Sequence, residues 1–264
     1  MMMTSRCSIM RPAGRFLLAL QVFFVIIGSS FIPIVLPTAL ASDLVDFQIW
    51  ENVTARGNFG ALNSENPDLK RWLWWAEIQM RYRDSGQELN QMLVRPGIGY
   101  ALTEHSTVFL GYAHVTNYPP VGDLVQENRI WQQYQWRGPT PLGAFTTRSR
   151  LEERWQENAN DKNSGSDTGL RFRELLKFNW PFSFHPALSF IMANEVFVNL
   201  NSADWGPPTA KQGLDQNRGF AGFGYRFTPI ILMELGYMNQ YINRPGPAKD
   251  SMNNILSINF YLDF

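Results

Sequence analysis

The run from Arg71 to Arg83 constrains this chain more than any other segment. Trp72, Trp74, Ala76, Ile78, Met80 and Tyr82 fall on one row, while Glu77, Gln79, Arg81 and Arg83 fall on the other. A period of two is the signature of a β-strand, whose successive side chains point to opposite faces. A row carrying two Trp, a Met and a Tyr against a row of ions asks for grease on one side of the sheet and water on the other.

The pattern recurs downstream of Ser42. Phe145, Leu151 and Trp155 oppose Arg148, Arg150, Glu152 and Arg154. Leu170, Phe172, Leu176, Phe178 and Trp180 oppose Arg171, Arg173 and Lys177, with Glu174 on the apolar side. Ile130, Tyr134 and Trp136 oppose Arg129, Gln133 and Gln135, with Trp131 the exception. Ala221, Phe223, Tyr225 and Phe227 face away from Arg218, Gly222 and Gly224, and Ile231, Met233, Leu235, Tyr237 and Tyr241 face away from Glu234, Gly236 and Gln240. Further strands are expected near residues 47–56, 92–102, 107–116 and 188–200. A soluble β-sandwich also alternates, but it would set Lys, Ser and Thr against small aliphatics. Nineteen Phe and nine Trp in a chain of slightly negative mean hydropathy suit a closed antiparallel transmembrane β-barrel, oily outside and polar inside.

The N-terminus reads as an export signal. Arg6, Arg11 and Arg15 precede an apolar run over residues 16–36, and Ala39 and Ala41 flank Leu40, so cleavage is expected after Ala41. The competing reading is an uncleaved anchor, and Met10 is an alternative start. The expected division is therefore a signal peptide over 1–41 and an outer-membrane barrel over 42–264. Cys7 is the only cysteine and lies in the disposable part. No later segment is apolar for long enough to span as a helix.

About eleven strands can be counted. Single-chain bacterial barrels have an even number, so the expected range is ten to twelve, with twelve favoured. Connections alternate in length. Short ones fall at residues 103–106, 138–143, 181–186 and 228–229; long polar ones fall at 117–126, 157–166, 201–211 and 244–250. Short turns would face the periplasm and long loops the exterior, and the link over 57–68 breaks the rule. On the last segment Leu256, Ile258, Phe260, Leu262 and Phe264 share one face. Its final residues, Phe260, Leu262 and Phe264, resemble the sorting signal read by the outer-membrane barrel assembly machinery, which is then an expected partner during biogenesis.

Several phrases go beyond architecture. They are Asp46-Phe47-Gln48-Ile49-Trp50, Arg95-Pro96-Gly97-Ile98-Gly99-Tyr100, Asn128-Arg129-Ile130-Trp131-Gln132-Gln133, Asn194-Glu195-Val196-Phe197-Val198-Asn199-Leu200, Asp215-Gln216-Asn217-Arg218 and Gly236-Tyr237-Met238-Asn239-Gln240-Tyr241. Together they resemble the domain-of-unknown-function family 2490, a set of outer-membrane proteins, across nearly the whole mature chain. The resemblance implies a location and a fold, and no activity or site residue.

Candidate chemistry is sparse. A hydrolase needs a Ser paired with a His and an orienting acid, or a metal-bound water. His105 and His185 fall in turns and His114 in a strand without a Ser partner in sequence, and no two have metal-ligand spacing. Asp161 and Asp167 lack the ordered spacing of a calcium loop. No cofactor, metal or catalytic residue is expected, and a formal net charge of zero offers nothing to nucleic acid. The expected lumen-lining residues are Glu77, Arg81, Arg83, Arg95, Glu127, Arg129, Arg148, Arg150, Glu152, Arg154, Arg171, Arg173, Lys177, Glu195, Arg218 and Glu234. Cations outnumber acids there. Two interiors fit: a narrow pathway or site for small anionic solutes, or a salt-bridged plug that fills a small barrel. Gly97, Gly99, Gly222, Gly224 and Gly236 would give Arg and Tyr room, or let the strands coil. The expectation is a non-enzymatic barrel in the outer membrane of a Gram-negative bacterium, in contact with outer-membrane lipid.

Overall fold

A computed structural model describes residues 44–264, apart from 63–64, 159–166, 206–209 and 245–249. The expected signal peptide and Asp161 lie outside the described residues. The alternating segments become eleven strands: β1 (Leu44–Asn58), β2 (Trp72–Arg83), β3 (Glu88–Ala101), β4 (Ser106–Asn117), β5 (Val125–Thr140), β6 (Gly143–Asn158), β7 (Gly169–Phe182), β8 (His185–Asn199), β9 (Gly213–Arg226), β10 (Ile231–Ile242) and β11 (Ser251–Asp263). Each pairs with its sequence neighbours, and the sheet closes where β1 meets β11. No helix among the described residues is long and apolar enough to cross a membrane.

The closure corrects the favoured count of twelve. An up-and-down meander with an odd number of strands brings its first and last strands together running the same way. β1 and β11 accordingly pair in parallel, in unbroken register from Leu44↔Ser251 to Arg56↔Asp263. Parallel ladders satisfy every backbone group as antiparallel ones do, with slanted bonds, so no twelfth strand is required. The segment 47–56 is part of this seam.

Strand direction sorts the connections. At one end lie the turns 102–105, 141–142, 183–184 and 227–230 and the link 59–71, which carries two 3-10 turns, Phe59–Ala61 and Pro67–Arg71. At the other end leave the connections that follow β4, β6, β8 and β10, with one tight turn, 84–87. That turn holds Asp84, Ser85 and Gly86 at positive φ. In the 243–250 loop, Asp250 accepts hydrogen bonds from the Tyr241 hydroxyl and the Arg244 backbone N–H, which hold its carboxyl below the usual carboxylate range.

The faces fall as the alternation predicts. Near the short-turn end, outward rings form a continuous chain: Trp136 to Phe145, Phe145 to Phe178, Phe178 to Trp180, Trp180 to Phe190 and Phe190 to Phe223, with centroids 4.6–6.2 Å apart. Toward the long-loop end the outer surface turns polar, and its polar groups pair with each other. Asn194 and Asn217 exchange amide hydrogen bonds, Tyr237 donates to Asn254, and His114 and Tyr112 share Asn128 Oδ1. Glu174, the acid on the apolar row, accepts from the Thr147 and Ser149 hydroxyls on neighbouring β6.

Candidate functional site

Among the described residues, the interior gathers most of the ion-paired side chains. Parity puts Arg148, Arg150, Glu152 and Arg154 on the inner face of β6, with Arg171, Arg173 and Lys177 on that of β7. Glu152 is fully buried and accepts from Arg171 at 2.7 Å and Arg173 at 2.6 Å. Arg173 also reaches Glu195 on β8 at 2.7 Å, and Arg148 shares that same oxygen at 2.7 Å. Arg171 extends to Asp215 at 3.1 Å. Glu127 holds Arg129 at 2.8 Å and Arg154 at 2.5 Å. Arg95 pairs with Glu77 at 2.9 Å, and Lys177 reaches Glu234 at 2.6 Å from three strands away. Arg83 sits near the long-loop end with Glu88 and the Tyr118 carbonyl.

Of the sixteen residues expected on the lumen, thirteen share ion pairs with one another. Arg83 pairs elsewhere. Among the described residues, Arg81 and Arg218 pair with no carboxylate; Arg81 donates to Gln79 and Gln91, and Arg218 to Gln216.

The rest of the filling is aromatic, and period-two reading largely missed it. Trp75, Phe109, Ala113 and Trp131 form a buried cluster inside the barrel. Trp131 is fully buried, donates its indole N–H to the Tyr112 carbonyl, and lies 4.7 Å beneath the Arg150 guanidinium. Arg150 itself is held by two bonds to Gln133 and stands 3.9 Å from Glu152. Glycines make the space. A Cβ at Gly97 would come within 2.7 Å of the Trp131 ring, one at Gly111 would clash with the same ring, and one at Gly99 would clash with Phe109. Gly222 and Gly236 do the same for Phe220. The room goes to Trp and Phe, not to Arg and Tyr. The signal was available: Trp131 and Trp50 both stand at inward parity among polar neighbours, as a ring that packs cations would.

The filled half of the bore lies along β2 to β7. Along β1 to β3 and β6 to β11 a cavity of about 160 Å³ remains, lined by Trp50, six cations (Arg81, Arg95, Arg148, Arg173, Lys177, Arg218) and two inward acids (Glu195, Glu234). At the long-loop end, buried Trp205 from the 200–212 loop packs against Gly169 and under the Arg154 guanidinium. None of the three histidines enters the interior network: His114 points outward, and His105 and His185 sit at the short-turn end. No group of three or more His, Cys, Asp or Glu among the described residues could hold a metal.

Comparison with known proteins gives a family and one relative without a described activity. The sequence profile of a family described as "Protein of unknown function (DUF2490)" matches residues 47–253. The chain belongs to this family. An uncharacterized protein of Methylorubrum extorquens is 29% identical to this chain over 232 residues, which cover 86% of this chain and 91% of its own. No solved structure matches. The match runs from within β1 to the beginning of β11, so nearly the whole barrel of this DUF2490 chain falls inside the family profile.

Proposed function

We propose that this protein is a non-enzymatic outer-membrane barrel whose lumen is closed by its own ion pairs, and that it binds solutes or supports the envelope and does not conduct freely. The observation that carries the reading is Glu152: a carboxylate with no exposure, held by two arginines at the middle of the bore. A water-filled channel would wet such a group.

The outer surface supports the membrane assignment. On β7 the outward residues Phe182, Trp180, Phe178 and Leu176 precede Glu174, and on β11 Phe264 to Leu256 precede Asn254. About eight to ten residues, at roughly 3.3 Å each and a tilt near 40°, come to roughly 20–25 Å. That is the height of the apolar band of a transmembrane barrel. The ring of aromatics at the short-turn end corresponds to an interfacial girdle, and the paired polar groups on the other side mark where lipid gives way to water. On this reading the short turns face the periplasm, residues 1–41 are the export signal, and the face ending in Phe260, Leu262 and Phe264 engages the assembly machinery.

A second reading, passage of small anions, draws on the excess of cations around the cavity. Fractionation and bilayer recording separate these outcomes. The folded protein should require detergent for release from the envelope and should give no conductance steps in a planar bilayer at any salt concentration. Anion-preferring steps would establish the second reading, and recovery as a freely soluble periplasmic protein would overturn both.

A further inference from the structure

Within that closed lumen, and resting on that reading, we propose that the cavity beside Trp50 is a binding site for a small phosphate-type oxyanion, held by Arg81 and Arg218. Both guanidiniums lie on the Trp50 ring, at 4.0 and 4.9 Å from its centroid. Both are partly buried, and among the described residues neither has a carboxylate partner, although nearly every other interior cation has one. Glu195 stands opposite Arg218 across the β8–β9 pair, but its Oε1 already accepts from Arg148 and Arg173, and two like charges on one ring with so little counter-charge are costly in a low-dielectric interior. Folding does not remove that cost by pairing them, so the geometry calls for a negative group from outside.

Two further observations point the same way. Arg81 Nε, Arg95 Nε and Arg148 Nε are buried and have no hydrogen-bond acceptor among the described residues, and all three side chains line this cavity. Buried N–H donors without acceptors are uncommon in folded proteins, and each one asks for an explanation. The cavity is also large enough, since about 160 Å³ far exceeds the ~10–15 Å³ that one water needs by a comparable measure. The chemical class follows from the donors. A guanidinium presents a planar fork that matches the oxygens of phosphate or carboxylate two at a time. Lys177, Arg173 and Arg148 already spend charge on Glu234 and Glu195, so the uncommitted charge belongs to Arg81 and Arg218, which together suit a dianion better than a monoanion. Phosphate carried free and phosphate carried on a lipid headgroup share this chemistry.

The test uses the full mature barrel folded in detergent, at constant ionic strength, with the thermal unfolding midpoint as the readout. Inorganic phosphate should raise the midpoint in a saturable way, since a ligand that binds only the folded state stabilises it by mass action, whereas chloride should not. Glycerol 3-phosphate replaces inorganic phosphate in a parallel arm: a larger shift assigns the site to an esterified headgroup phosphate, an equal or smaller one to the free ion. Acetate gives the carboxylate arm, and a shift matching that of phosphate overturns the phosphate assignment. The Arg81→Gln/Arg218→Gln double variant should lose the phosphate response, with apparent affinity at least tenfold weaker. Arg226→Gln should keep it, because Arg226 does not line the cavity. Should the double variant not fold, Arg218→Lys poses the same question, because it keeps the charge and removes the fork. No shift in the wild type, or an undiminished shift in the double variant or in Arg218→Lys, overturns the proposal. The bilayer experiment is independent. Conductance would overturn the closed lumen, whereas a silent barrel that ignores phosphate would overturn the site alone.

Discussion

Glu152 and Trp131 face each other across the β5–β6 pair, and between them they fill the middle of the bore. The carboxylate takes Arg171 and Arg173, while the indole takes the face of Arg150. Removing one partner from a buried ion network leaves charge stranded, which costs about 3–5 kcal/mol. Glu152→Gln should therefore destabilise the barrel by an amount of this order, read as a lower urea midpoint for unfolding from lipid vesicles. Glu51→Gln, at an outward position, should shift the midpoint far less; equal losses would mean that Glu152 is not structural. Parity placed these charges on the inner wall, but it could not say who pairs with whom. Arg129 meets Glu127 two residues away, Arg171 meets Glu152 one strand over, and Lys177 meets Glu234 after 57 residues. Only the last kind of partnership depends on how the barrel closes, and sequence spacing carries no information about it. The inward Trp50 escaped for a different reason: an aromatic residue among polar neighbours reads as an error in the pattern until its cationic partners are seen.

At the scale of strands, alternation was enough to locate all eleven, because the outward aromatics and inward ions of β2, β6 and β7 leave little freedom of register. Closure was not legible. The even-number rule pointed to a twelfth strand, and nothing in residues 44–58 distinguishes a strand bound for a parallel seam from one in an antiparallel pair. The seam is open to a direct test. Val53 and Phe260 are register partners across it, both facing outward, and the chain's single cysteine, Cys7, lies upstream in the expected signal peptide. Register partners on adjacent strands lie within the Cα separation that a disulfide spans, about 4.4–6.8 Å. Val53→Cys with Phe260→Cys should cross-link under mild oxidation to a faster-migrating unreduced band, while Val53→Cys with Met252→Cys, displaced along the seam, should not. Cross-linking of the displaced pair alone would mean another register or a missing strand between β1 and β11.

For the whole molecule, the same interior charges decide both stability and permeability. A bore wall of eleven strands encloses more than its side chains fill, as the cavity beside Trp50 shows, so continuity is blocked by a small number of groups along β3 to β7. Arg150 and Trp131 are the largest fully buried side chains there. Shortening both, Trp131→Ala with Arg150→Ala, should connect that side of the bore to the cavity and turn a silent barrel into one with conductance steps in planar bilayers. The steps should favour anions, because Arg81, Arg95, Arg148, Arg173, Lys177 and Arg218 remain against fewer acids and a narrow low-dielectric passage amplifies their field. Adding Arg148→Glu to the opened barrel should move its reversal potential toward cations, because one wall charge changes sign while the width stays nearly the same. An opened barrel indifferent to that reversal would place the selective constriction elsewhere, with the long-loop end, where Trp205 packs under Arg154, the first place to look. If the doubly shortened barrel folds yet stays silent, the ion network along β6 and β7 is enough to seal the bore without the ring beneath it.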